Sequence, residues 1–170
     1  LCASAKEIGI DIIVDVVFHH IANYMHNDIS DKVDPEIRNI KDLWYDTSFT
    51  DIRDYNNGWE CTHLSLGGLA ELNLSSKELR KLQFDYLIDL RECGVNGARF
   101  DALKHLAYEN GYFEEMRESV GSEFINNSYG KCIDCSHETL RFYQQFIKCG
   151  TNIGVSKDET NLVLWVYSHD

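Results

Sequence analysis

Residues 97–105 combine side chains that could bind and react with a polar ligand. Arg99 and Lys104 are cationic, Asp101 is a carboxylate and His105 carries an imidazole, and all four come at or just after the end of an apolar run. A strand that ends in charged residues is a common way to build a site, because the strand fixes the backbone from which the polar side chains project. We therefore take this segment as the centre of a candidate site.

Two other apolar runs end in the same way. Residues 10–18 precede His19 and His20, and residues 162–167 precede His169 and Asp170. Apolar runs without alternation are typical of strands buried on both faces, as in parallel sheets. Such sheets carry their sites at the carboxyl ends of the strands, so we expect the three polar strand ends to lie together.

The segments between these runs predict helices. The sequence Ser75 to Glu78 has the pattern of a capping box, and leucines at helical spacing follow it until Gly94. The other predicted elements are a helix over residues 1–8 closed by Gly9, a helical region over 102–120 interrupted at Gly111, a weaker strand over 122–129, and a helix from Ser136 through Lys148. Alternating helices and strands are typical of a parallel α/β protein.

Residues 21–74 do not follow this alternation. They are rich in Asn and Asp, contain the only proline and show no sustained period. The segment is too long for a simple connection in a compact domain, where about 4–6 residues are usual. We predict an irregular inserted subdomain over 21–74, and a barrel-type domain formed by 1–20 and 75–170.

Composition excludes several classes of function. The net charge of −12 argues against nucleic acid as a partner, because phosphate binding requires a basic surface. No apolar run reaches the ~18 residues that a membrane span needs, and no basic leader with an apolar core is visible at the start. The chain begins at Leu1, within a predicted helix, so we expect a piece of a longer protein. The compartment stays open, and an extracellular location is compatible with these features.

Four segments resemble a known family. Residues 15–20, 97–105 and 165–170 are similar, in order and spacing, to signature regions of the alpha-amylase family, glycoside hydrolase family 13, and residues 66–73 resemble a further segment of that family. The match runs from the third to the seventh strand of the family's barrel. The resemblance implies an α/β fold, a partial TIM (β/α)8 barrel with the insert after the third strand, that cleaves α-1,4-glucans of the starch or glycogen type with retention.

The resemblance also implies roles for individual residues. Asp101 corresponds to the nucleophile, Arg99 to the residue that orients it, and Asp170 to the carboxylate that stabilises the transition state. The groups that correspond to substrate-binding residues are His20, His169, Lys104 and His105. Arg99 and Asp101 are two residues apart on a strand and so point to the same face, where a guanidinium favours a charged carboxylate.

The general acid of the family has no counterpart in the sequence. A retaining glycosidase needs a protonated carboxyl about 5–5.5 Å from the nucleophile, and the family places a glutamate at the end of the fifth strand. Lys131 stands there instead. An ammonium between carboxylates keeps its proton, and losing general-acid help typically costs ~10²–10⁴-fold in rate. Glu123 and Glu138 are the nearest acids, but neither lies in a matching context.

Other departures concern calcium and the completeness of the barrel. The family binds calcium with the backbone carbonyl at His105 and with an asparagine that His19 replaces, and imidazole is a poor ligand for this oxygen-seeking cation. Ala70 and Glu71 replace a Pro-Asp pair. The dozen or so residues between Cys149 and Asn161 are too few for a sixth strand and its helix, so one βα unit is expected to be missing.

Less favoured interpretations concern metals and thiols. The histidines 19, 20 and 26 could bind a transition metal, although nothing in the sequence fixes a geometry. Cys132 and Cys135 have the spacing of a thioredoxin-like redox motif, and two free or packed thiols are the alternative. The acidic residues of the insert could serve calcium, but solvated loop charge is the simpler reading.

Three functional hypotheses follow. The first is an alpha-amylase-type glycoside hydrolase sequence, here a fragment whose own activity is in doubt because of Lys131. The second is an amylase-like homologue without catalysis that binds an α-glucan or a protein partner. The third is the product of a decayed or mis-assembled gene, since Asn to His and Glu to Lys can each arise by one base change.

Overall fold

The computed structural model describes residues 1–21, 33–45, 50–106, 111–132 and 135–150. Four parallel strands form its main sheet, in the order β1 (Ile13–Val16), β4 (Gly97–Phe100), β5 (Tyr129–Lys131) and β6 (Lys148–Gly150). Each strand pairs with the next one in this order, and helices lie between β4 and β5 and between β5 and β6. This is the arrangement of consecutive units in a (β/α)8 barrel, and it confirms a partial barrel.

Helices cover this sheet and account for most of the predicted alternation. The chain opens with α1 (Cys2–Glu7), which ends before Gly9 at a φ of 72°. The longest helix, α4 (Lys77–Glu92), leads to Gly94 at a φ of 91° and then into β4. The remaining helices of this region are α5 (Tyr112–Val120), α6 (Ser122–Asn127) and α7 (His137–Gln144).

The start of α4 differs from the prediction by one residue. Ser76, not Ser75, caps the helix, and its hydroxyl accepts the backbone N–H of Leu79. The reason is a turn immediately upstream, in which the side-chain oxygen of Asn73 accepts the N–H of Ser75 and holds that residue in the loop.

The predicted weak strand over 122–129 was wrong for most of its length. Residues 122–127 form α6, and only Tyr129–Lys131 form a strand. Phe124 and Ile125 are adjacent in the sequence and both buried, a pattern that a helix and a strand each allow. In the structure, the helix packs them against β4, near its start. The Ser128 hydroxyl then donates to the Phe124 carbonyl and accepts the N–H of Ala98, which joins the helix end to the sheet.

The last described segment corrects two further expectations. The helix that begins after Ser136 ends at Gln144 rather than Lys148, and residues 148–150 form β6 beside β5. The strand that follows the fifth is therefore present, although the sequence predicted that its unit is missing. Residues 151–170, with the predicted strand over 162–167, lie outside the described residues.

The described residues between β1 and α4 form short elements only. These are β2 (His20–Ile21), α2 (Pro35–Arg38), α3 (Gly58–His63) and β3 (Ala70–Glu71). The strands β2 and β3 pair antiparallel in a small separate sheet. The division into two domains at 20/21 and 74/75 stays a prediction. In the part of the chain that the structure describes, no helix is long and apolar enough to cross a membrane.

Candidate functional site

Arg99 is the centre of the candidate site. It lies on β4, the fully buried strand between β1 and β5, and it is directly opposite Asp15 in the β1 register. Its Nη1 donates to both carboxylate oxygens of Asp15, at 2.9 and 3.1 Å, and to Oδ1 of Asp101 at 2.6 Å. Burial lowers the pKa of Arg99, but the hydrogen bonds and charges of Asp15 and Asp101 outweigh burial and raise it overall.

Asp101 is held at the carboxyl end of β4 and remains open to solvent. Its N–H donates to the carbonyl of Val16 at 2.9 Å, which continues the pairing with β1 by one residue. Its side chain is 32% exposed, whereas that of Arg99 is 9% exposed. A buried guanidinium therefore supports a carboxylate that a ligand can still reach.

The backbone turns sharply after Asp101. Ala102 has a φ of 48° and a ψ of 42°, a left-handed conformation that is uncommon for alanine. The 3₁₀ helix Leu103–His105 follows, and Leu103 packs closely over Gly130 of β5, where an added Cβ would lie 2.8 Å from Leu103 Cδ2. Backbone strain of this kind is often found at functional sites, where the surrounding packing holds it in place.

The two predicted residues of this 3₁₀ helix have different surroundings. His105 is buried, its Nδ1 lies 2.9 Å from the carbonyl oxygen of Cys61 in α3, and its pKa is lowered to about 4, mainly by burial. Lys104 lines a cleft of about 950 Å³ between α3 and α7. That cleft also contains Glu138, one of the two acids considered near the general-acid position.

Glu123, the other acid considered, lies far from this group of residues along the strands. It lines a separate cavity of about 420 Å³ with Gly94 and Asn127, at the end of the sheet where β4 begins. Active sites of such folds occupy the opposite end. Glu123 is therefore in the wrong place to replace the family's general acid.

Lys131 is the last residue of β5, the strand beside β4. Phe100 pairs with Gly130, so the next residue of each strand, Asp101 and Lys131, comes at the same level of the sheet. Neighbouring strands are about 4.8 Å apart. The backbone of Lys131 is thus next to the end of the strand that carries Asp101. Asp170 and His169 lie outside the described residues.

His20 lies on the other side of Asp101, at the start of β2. It is partly buried, and burial lowers its pKa while the charge of Asp101 acts in the opposite direction. Its Nδ1 is 3.3 Å from Nδ1 of His19, which is completely buried. Of the predicted residues, the structure therefore brings His20, Arg99 and Asp101 together.

Two residues near this group were not identified from the sequence. Asp15 was noted within an apolar run and as the first residue of the segment 15–20, but not as a partner for Arg99, although its position four residues before His19 on a strand parallel to β4 could have suggested one. Glu71 was noted only as a substitution. It is 4% exposed, and burial raises its pKa to about 9, so its carboxyl is protonated at neutral pH.

The donor set around His19 does not fit calcium. Calcium prefers six to eight oxygen ligands, whereas the side chains that meet here are the imidazoles of His19, His20 and His105 and the protonated carboxyl of Glu71. Within the described ranges, no group of three or more His, Cys, Asp or Glu side chains is arranged to hold a metal ion. The transition-metal hypothesis also included His26, which lies outside those ranges.

The two cysteines of the redox-like motif form a disulfide. Cys132 and Cys135 have Cα atoms 5.6 Å apart, and the bond follows the end of β5 directly. The alternative of two free thiols was therefore wrong. Cys135 lines the same cleft as Lys104, so the disulfide is part of the wall of that cleft.

Comparison with known proteins gives relatives of one kind. The chain is 28% identical over 159 residues to an alpha-amylase of Clostridium acetobutylicum, a match that covers 86% of this chain and 20% of the relative. It is 28% identical over 152 residues to an alpha-amylase-related protein of Drosophila willistoni, covering 79% of this chain and 30% of that protein. No family model matches the chain. The chain thus spans between a fifth and a third of these curated relatives.

Solved structures agree in fold. The alpha-amylase of Geobacillus thermoleovorans, determined in complex with acarbose, superposes with a TM-score of 0.69 at 18% identity, over 88% of this chain and 32% of that one. Alpha-amylase I of Eisenia fetida gives a TM-score of 0.66 at 22% identity, over 88% and 34%. These likenesses support the fold alone, while the curated relatives add similarity in sequence to alpha-amylases. In its parallel strands, its Arg99–Asp101 pair and its curated relatives, the chain is therefore similar to the alpha-amylase family.

Proposed function

We propose that this chain carries the nucleophile side of an alpha-amylase-type retaining glycoside hydrolase site for α-1,4-glucans. The observation that supports it best is the contact of Arg99 with both Asp15 and Asp101. A nucleophilic carboxylate needs a supporting cation, a fixed position and access to the substrate, and the contact of Asp101 with Arg99, its place at the end of β4 and its 32% exposure support this role. The acarbose bound to the related alpha-amylase is a sugar-like ligand, which agrees with an α-glucan as the partner.

In the proposed reaction, Asp101 attacks the anomeric carbon of the glucan while the bond from that carbon to the leaving oxygen breaks and that oxygen takes a proton, and water then hydrolyses the glycosyl-enzyme. The negative charge of the Asp101 carboxylate is stabilised in the free enzyme by Arg99 Nη1 at 2.6 Å. His20, beside Asp101, is suited to bind a hydroxyl of the same sugar because its Nδ1 contacts His19 and its Nε2 has no hydrogen-bond partner among the described residues. We assign Asp170 to stabilising the oxocarbenium-like transition state, and His169, Lys104 and His105 to binding the substrate, on the resemblance alone.

The weak point of this site is protonation of the leaving group. Lys131 occupies the level of the sheet at which the family carries its acid, and a lysine ammonium beside carboxylates does not release its proton at neutral pH. A fixed positive charge there also opposes the charge that develops on the sugar. We therefore propose that the site binds glucan and retains a nucleophile, but does not hydrolyse unactivated glucans at a useful rate.

A second candidate function is glucan binding without turnover. The cleft of about 950 Å³ beside Lys104, lined in part by Tyr55 and Phe142, offers space and aromatic surface for several sugar rings. A decayed gene product would have neither binding nor catalysis. Calorimetry with maltohexaose distinguishes these two cases, because only a binding protein releases or absorbs saturable heat.

The first experiment measures reducing sugar released from starch by the full chain and by its Lys131→Glu variant. We expect no release by the unmodified chain and a gain in the variant, up to the ~10²–10⁴-fold that a general acid contributes. Clear turnover by the unmodified chain would refute the role given to Lys131.

The second experiment isolates the nucleophile. An α-maltosyl fluoride has a leaving group that needs no proton, so Asp101 alone can form the glycosyl-enzyme intermediate. We expect fluoride release by the unmodified chain and none by Asp101→Asn, which preserves shape but removes the nucleophile. Equal release by both proteins would show that Asp101 is not the nucleophile, whatever the role of Lys131.

A further inference from the structure

The buried contact between His19 and Glu71 leaves polar side-chain atoms without hydrogen bonds of good geometry. His19 is completely buried and Glu71 is 4% exposed. Nε2 of His19 lies 3.3 Å from Oε1 of Glu71, yet neither His19 Nε2 nor either oxygen of Glu71 has a hydrogen bond of good geometry. Buried polar atoms are nearly always paired, so three such atoms at one place need a physical explanation.

The location of this contact supplies part of the explanation. Residues 19 and 105 are the two that the resemblance assigns to calcium, and their rings are 5.2 Å apart between centroids. Glu71 joins them from β3, which pairs with β2 through His20 and Ile21. The carbonyl of His19 also accepts the N–H of Leu72 at 2.8 Å. The contact therefore lies where the chain leaves the barrel after β1 and returns to it.

We propose that the side chains of His19, His105 and Glu71 replace a calcium ion as the clamp between the barrel and the segment inserted after β1, so that this fold is held without calcium. His105 contributes through its Nδ1, 2.9 Å from the Cys61 carbonyl in α3. His19 contributes through Glu71. Each contact joins a barrel residue to a residue of the insert.

The protonation states agree with an uncharged clamp. Burial raises the pKa of Glu71 to about 9 and, with the nearby rings of His105 and His20, lowers the pKa of His19. Nε2 of His19 and Oε1 of Glu71 are 3.3 Å apart, and these shifts favour a neutral carboxyl facing a neutral imidazole. A neutral pair of this kind avoids the large cost of burying an isolated charge. A calcium ion would instead need oxygen ligands in place of the imidazole nitrogens.

The test is thermal unfolding of the full chain, followed by circular dichroism, in EDTA, in calcium chloride and in zinc chloride. We expect midpoints that agree within about 1 °C in EDTA and calcium. A midpoint that rises saturably with calcium, or falls in EDTA, would overturn the proposal. A saturable rise with zinc alone would also overturn it, because the imidazoles would then be ligands of a transition metal.

Two variants make the outcome specific. His19→Asn combined with Glu71→Asp restores oxygen ligands, and we expect its midpoint in EDTA to fall by roughly 4 °C or more and to recover with calcium. Glu71→Gln keeps the shape of the protonated carboxyl and an N–H donor, so we expect its midpoint to stay within about 2 °C of the unmodified chain and to be insensitive to calcium. A large loss in Glu71→Gln would show that the carboxylate charge is needed, which contradicts an uncharged clamp even if the double variant does not fold.

Discussion

The ends of β4 and β5 are neighbours in one sheet, but they differ in the contacts that hold their polar residues. At the end of β4, Asp101 has an arginine partner whose other contact, Asp15, comes from the adjacent strand. At the end of β5, Lys131 is the last residue of the strand and the Cys132–Cys135 disulfide follows at once. The proposed nucleophile is therefore supported by strand register, whereas the general acid that the proposed reaction needs at the end of β5 depends on a single side chain.

The largest effect is expected on the β4 side, from Arg99→Met. This change leaves Asp15 and Asp101 close together without a cation. Breaking a buried ion pair typically costs 3–5 kcal/mol, and because Asp15 is 53% exposed and Asp101 32% exposed we expect about 2–3 kcal/mol here. Urea denaturation measures the loss.

The matched control for Arg99→Met is Asp15→Asn, which keeps Arg99 paired with Asp101. We expect its loss to be less than half as large, and fluoride release from maltosyl fluoride to survive in it. If both variants lose equal stability, Arg99 acts through packing alone, and the contrast between the two strand ends disappears.

The intermediate effect is expected where the two strand ends touch, from Gly130→Ala. An added Cβ would lie 2.8 Å from Leu103 Cδ2 and 3.1 Å from Leu103 Cβ, which is tighter than normal packing allows. Overpacking of this kind typically costs 1–3 kcal/mol, and we expect about 2 kcal/mol in urea denaturation. The double variant with Leu103→Ala should lose less than the sum of the two single variants, because the clash is removed. If the losses of Gly130→Ala and Leu103→Ala are additive, the cost of Gly130→Ala does not come from its contact with Leu103.

The parts of this arrangement that the sequence predicted are those with local signals. The apolar approaches to His19 and Asp101 predicted β1 and β4, and glycines 9 and 94 marked the helix ends. The Arg99–Asp101 pair followed from strand parity, since residues two apart share a face. Strand register could not be predicted, and with it the contact of Asp15 with Arg99 was missed.

The errors occurred where the local pattern was ambiguous. Phe124 and Ile125 suit a strand or a helix, and tertiary packing at the start of β4 selects the helix. The sequence 148–150 is too short and too polar to predict a strand, and it forms one only because it pairs with β5. The role of Glu71 depends on burial by residues distant in the sequence, which no local pattern reports.

The smallest effect is expected on the β5 side, from removal of the disulfide. Cys132 and Cys135 are three residues apart, so the bond closes a very short loop and restricts the unfolded chain little. Loop-entropy reasoning gives about 2 kcal/mol as an upper value for such a loop.

Cys132→Ser should therefore lower the free energy of unfolding by less than Arg99→Met does, measured in urea under non-reducing conditions. The matched control is the unmodified chain in dithiothreitol, which should lose a similar amount. A loss greater than that of Arg99→Met would contradict this order. The end of β5 would then depend on its disulfide more than the end of β4 depends on the ion pairs of Arg99.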